Sequence, residues 1–144
     1  MQILQMIHSY WAYLALLTLV LATVNANYKY FSNKYFAAKD FSISLLTLIL
    51  MHTQLLIGIL LYFMKDYFVI IGQVGIGQVM KNSGLRNLII EHPIAMIAAV
   101  TLVTIGYSKH KKKLVSKPKF KVLAIFYSLA LILVLAKIPW NLWI

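Results

Sequence analysis

Four histidines and three carboxylates carry most of the site chemistry of this 144-residue chain, which has no cysteine. Imidazole is the side chain best suited to bind metals and move protons near neutral pH. Ionisable residues inside long apolar runs are costly and mark functional sites by default. His8 opens one apolar run and His92 opens another, so at about 1.5 Å per helical residue the two lie at similar heights near one end. His52 lies about eleven residues from the corresponding end of its run, near the middle. Steps of three and four from His8 reach Trp11, Ala12, Ala15, Leu19, Ala22 and Ala26. The same walk from His92 reaches Ala95, Met96, Ala99, Val103, Gly106 and His110. Small residues beside an inward imidazole leave room for a flat macrocycle, and bulky ones such as Leu45, Leu48, Leu56, Ile59 and Phe63 beside His52 can wall its edges. The plainer reading is equally physical: small residues every fourth position let bare helices pack closely, and His52 hydrogen-bonds to a neighbouring Thr, Ser or Gln.

The stretch "IIEHPIAM" at 89–96 adds an acid and a proline to His92. A metal-bound imidazole usually gives its other N–H to a carboxylate or carbonyl. Adjacent helical residues point about 100° apart, so Glu91 is expected to serve a ligand on another helix such as His8, or to take a proton. Its plain role is an ion pair with Arg86 at the water boundary. Pro93 removes one backbone hydrogen bond and is expected to kink the helix beside His92. His110, within "SKHKKK", is expected to be solvated among its lysines.

Four apolar runs must position these groups: about 6–26, 41–63, 87–107 and 120–138. Each is long enough to cross a bilayer and must be helical, since unpaired backbone is not tolerated in hydrocarbon. With 62% hydrophobic and only 12% charged residues, the chain is expected to be a single all-α, four-transmembrane-helix domain over 1–144. The net charge of +11 does not point to nucleic acid, because seven of fourteen cations cluster in 109–121 beside an apolar run. Such a loop is cytoplasmic and faces anionic lipid. Counting back, the 27–40 loop is cytoplasmic too, and the topology is N-out/C-out. The first run lacks the cationic start of a signal peptide and is expected to be retained. Tyr10, Trp11, Tyr13, Trp140 and Trp143 are interfacial anchors at the outer surface, Lys137 snorkels toward it, and Pro139 ends the last helix. The repeat "IGQVGIGQV" has no Gly-Lys-Ser/Thr and no preceding strand, so it is expected to be a loop folded over the outer face, not a nucleotide site. The amphipathic piece "VMKNSGLRNLI" follows it, with Asn82 or Ser83 as a helix cap.

On "HSYWAYLALL" (8–17), "HTQLLIGILLYF" (52–63), "VMKNSGLRNLIIEHPIAMIAAVTLVTIG" (79–106), the lysine loop and "IPW" (138–140), the chain resembles the small four-helix bacterial membrane proteins labelled cytochrome B or cytochrome-b-like. The resemblance implies haem b and electron transport, carried by His8, His92 and His52. Where that family often has Arg-Trp after the first His-Ser pair, this chain has Ala12 and Tyr13, so no arginine is available there for a haem propionate. A looser likeness is to the four-helix halves of haem A synthase.

Three functions follow as expectations. The first is an inner-membrane haem-b electron carrier with His8 and His92 as axial ligands and quinone as lipid-phase partner. The second is a cofactor-free accessory subunit of a larger membrane complex. The third is copper or proton handling, from the neighbours Met6–His8, Met51–His52 and His92–Met96. No nucleophile–base–acid set for hydrolysis is present, and enzymatic activity is left open.

Overall fold

The computed structural model describes residues 2–143, and every regular element among them is helical. In order these are α1 (Gln2–Phe31), α2 (Ala38–Met64), α3 (Tyr67–Val74), α4 (Ile76–Lys81), α5 (Ser83–Arg86), a π-helical turn (Asn87–Glu91), α6 (His92–Lys112), α7 (Ser116–Lys137) and α8 (Trp140–Trp143). Four helical stretches are long and apolar enough to cross a membrane: Gln2–Phe31, Ala38–Met64, Ser83–Lys112 and Ser116–Lys137. All four apolar runs read from the sequence are therefore helices, each longer at one or both ends than hydropathy alone suggests.

The four long helices form a square. α1 packs on α2 and α7, and α6 packs on the same two, so α1 and α6 face each other across the diagonal. Thr47 of α2 donates to the Thr18 carbonyl of α1 at 3.1 Å, and Tyr127 of α7 reaches across to the Ser44 carbonyl of α2 at 2.9 Å. The core is built from small side chains, among them Ala15, Ala22, Ala26, Ala99, Ala124 and Ala130. Large ones such as Leu17, Leu21, Leu46, Ile97, Leu129 and Ile132 are exposed. That distribution suits a lipid surround, where close backbone approach rather than aversion to water holds helices together. Gly106 marks the tightest point, because a Cβ there would lie 2.5 Å from the Phe126 Cβ of α7.

One end of the square carries the lysines. There the α1–α2 and α6–α7 connections interlock: the Phe36 amide donates to Ser116 Oγ at 2.8 Å and Lys117 Nζ to Asn33 Oδ1 at 2.7 Å. α7 begins at Ser116, earlier than the apolar run, because Pro118 falls in its first turn, where an amide proton is not needed. Asp40, in the first turn of α2, is buried and accepts from the Ala37 amide (2.8 Å), Asn25 Nδ2 (2.8 Å) and Lys29 Nζ (2.7 Å).

The opposite end carries both described termini. Trp143 donates to the Ser9 carbonyl at 3.2 Å and stacks on Tyr13 at 4.5 Å between centroids. The segment expected to be a loop is largely helical. It breaks between α3 and α4 at Gly75, whose φ of +85° lies in the region that favours glycine. Asn82 caps α5 by accepting from the Leu85 amide at 3.1 Å.

Candidate functional site

The π-helical turn leads directly into the candidate site. Its register shift is seen in the His92 amide, which donates to the Asn87 carbonyl five residues back. Pro93 has no amide for the carbonyl of Ile89, four residues before it, and its ring crowds that position. Tyr62 of α2 supplies the missing donor, with its hydroxyl 3.0 Å from the Ile89 oxygen. The kink expected at Pro93 thus takes the form of a π turn, a deviation that recurs at functional sites. Tyr62→Phe should lower stability by about 1 kcal/mol, read as a lower unfolding midpoint by circular dichroism in detergent.

His8 of α1 and His92 of α6 lie on diagonal helices at this end. His92 Nδ1 is 2.9 Å from the Lys137 carbonyl. A carbonyl only accepts, so Nδ1 carries the proton and the Nε2 lone pair is left for another partner. This is the outer-shell arrangement common to metal-binding histidines. His8 packs against Gly58 of α2, where any Cβ would come 3.1 Å from His8 Cε1. Its Nδ1 is buried and has no hydrogen-bond partner. Gln54 of α2 donates to the His8 backbone carbonyl at 2.9 Å and fixes the height of α1.

Glu91 does not touch His92. It accepts from Arg86 Nε at 2.9 Å and from Lys137 Nζ at 3.2 Å, and Arg86 also donates to the Met80 carbonyl at 2.8 Å. Lys137 therefore joins the pair: its ammonium meets the Glu91 carboxylate while its carbonyl meets the His92 ring. The expected Arg86 ion pair is present, and the link to an imidazole runs through the end of α7. Gly58 and Tyr62 are site residues that the sequence does not single out, and Lys137, expected only to snorkel to the outer surface, also meets Glu91 and His92. Pro93 was the one sequence signal for Tyr62, since it marks the Ile89 carbonyl as needing a donor from elsewhere.

His52 stands apart. It is exposed, with Nδ1 2.8 Å from the Leu48 carbonyl and Nε2 3.3 Å from Thr104 Oγ1 of α6. Leu56, Ile59 and Phe63 beside it also face outward, so they wall no internal space. Met51 is buried while His52 is exposed, so that sulfur and imidazole do not face one site. Among the described residues no three of His, Cys, Asp and Glu gather as a metal site.

His110 corrects the expectation of a solvated side chain. α6 runs on through Lys112, because lysine is a good helix former and cations favour a helix C-terminus. His110 thereby stays on the face of Ala99, Val103 and Gly106, at 0% exposure beneath Phe36, Phe41 and Tyr107. Its Nδ1 bonds the Tyr107 carbonyl, and its Nε2 is buried without a partner.

His92 is held by a carbonyl through Nδ1, and His8 carries an Nδ1 without a hydrogen-bond partner, so each ring keeps a nitrogen of the chemical type that a metal-bearing ring would take as an axial ligand. The core directly beneath is closed by Ala15, Leu19, Ala99 and Val103. Two open surface depressions lie at Val74–Leu85 and along Ile3–Leu14 on the outside of α1, and neither is lined by a histidine. Any ring gripped by these residues would occupy the mouth of the bundle.

Fold and site together define a class: an all-helical four-helix bundle of membrane-crossing length with two imidazoles, on diagonal helices, at one end. No protein-family model, curated protein or solved structure matches the chain.

Proposed function

We propose that this chain is a multi-pass protein of the bacterial inner membrane, N-out/C-out, that binds one haem b between His8 and His92. It would pass electrons between a quinone and a membrane redox partner. What supports this reading is the placement of two imidazoles at the same end of diagonal helices, one with its tautomer set by the Lys137 carbonyl and the other with an unpartnered buried nitrogen. Bound haem would supply one-electron chemistry. The chain's part is to hold the ligands, fix the His92 proton on Nδ1, and set charge nearby through the Arg86–Glu91–Lys137 cluster. In this reading Glu91 and Arg86 act through Lys137, and His52 ties α2 to α6.

Protein purified from haem-replete cells should give a b-type reduced-minus-oxidised spectrum. His8→Ala and His92→Ala should each abolish it, and His52→Ala should leave it intact. A colourless preparation with full helical content sinks the reading.

One observation favours a second reading. The closed seam of small residues explains the packing without any ligand. A cofactor-free subunit of a larger membrane complex would fold unchanged when both His8 and His92 are replaced, and would co-purify with its partners.

A further inference from the structure

We infer that the two connections at the lysine end form one joint docking surface for anionic phospholipid headgroups. Ten of the fourteen cations lie at this end: Lys29, Lys34, Lys39 and the seven of 109–121. Asp40 is the one carboxylate there, and it is buried and already bonded to Lys29. The excess of nine positive charges is therefore uncompensated by the chain itself.

These lysines divide into two groups. Lys109, Lys111, Lys117 and Lys119 lie over the rings of Phe126, Tyr107, Tyr30 and Phe36 at 5.0–5.4 Å, and so are laid along the bundle wall. Lys34, Lys39, Lys112, Lys113 and Lys121 are exposed and make no ion pair, hydrogen bond or ring contact among the described residues. Because Phe36 bonds Ser116 and Lys117 bonds Asn33, the two connections and the free lysines in and beside them are held together at one end of the bundle. The tip of each connection is apolar and bare: Tyr35 is 89% exposed and Leu114 95%. Cations interleaved with exposed apolar tips match the two layers of a lipid surface, phosphate above and acyl chain below. A soluble polyanion would leave Tyr35, Leu114 and Val115 in water. The surface is wider than the polybasic run visible in the sequence, since Lys34 and Tyr35 of the 32–37 connection and Lys39 at the start of α2 belong to it.

Native mass spectrometry of the purified chain with phosphatidylglycerol or phosphatidylcholine tests this. Phosphatidylglycerol should be retained preferentially. Each Lys→Gln change among Lys34, Lys39, Lys112, Lys113 and Lys121 should weaken retention about fivefold, and all five together should abolish the preference. Lys65→Gln with Lys81→Gln, at the other end, should leave it unchanged. Water-soluble glycerophosphoglycerol, which lacks acyl chains, should bind at least roughly tenfold more weakly than the intact lipid. Equal retention of both lipids, an unaltered preference in the five-lysine variant, or tighter binding of an RNA oligonucleotide or of glycerophosphoglycerol than of phosphatidylglycerol would overturn the proposal. Circular dichroism confirms that the variants compared are folded.

Discussion

Asp40→Ala should lower stability by about 3 kcal/mol, the scale of removing one member of a buried ion pair. The carboxylate is 2% exposed and gathers three donors from two helices: the Ala37 amide, Asn25 and Lys29. Removing it strands a lysine that is itself only 25% exposed and leaves the first turn of α2 without its side-chain acceptor. Asp40→Asn keeps one acceptor oxygen and should cost less. The double change Asp40→Leu with Lys29→Met removes both charges and should recover much of the loss, since an apolar pair avoids the desolvation penalty. Unfolding midpoints in a common detergent measure all three. A single mutant within a few tenths of a kcal/mol of the parent would show that the network is ornamental.

Gly106→Ala should be the second severe change. Its added methyl meets the Cβ of Phe126 at 2.5 Å, and a Cβ cannot swing aside as the end of a flexible side chain can. α6 and α7 must then separate along their seam, at a cost of about 2 kcal/mol or more. Phe126→Ala with Gly106→Ala should be less damaging than the sum of the single changes, giving a coupling between contacting sites. Additive effects would mean that the seam relaxes elsewhere.

The apolar spans were legible because hydrocarbon thickness imposes a minimum length on any crossing helix. Their ends were not. Hydropathy stops at the first lysine, whereas the helix continues through Lys112 because lysine is a good helix residue. That one misplacement also put His110 in water, although its spacing from His92 already placed it on the inward stripe. The small-residue walks from His8 and His92 did name the buried face: Ala15, Leu19, Ala22, Ala26, Ala95, Ala99, Val103 and Gly106 are all buried. Partners from other helices were beyond reach. Gly58, Tyr62 and Lys137 matter only through what sits opposite them, and no local pattern says that the end of α7 will meet the ring of His92. Asp40 was a signal in plain view, one of three acids in an apolar chain, but beside Lys39 it reads as the edge of a loop.

The uneven distribution of cations has an energetic consequence for a chain that crosses a membrane. Moving one elementary charge through a potential of 100 mV takes about 2.3 kcal/mol, so carrying the nine net charges of the lysine end across would take about 20 kcal/mol. An energised membrane, negative within, would therefore act as a latch on whichever insertion leaves that end inside. The reverse arrangement would remain out of reach for as long as such a potential is maintained.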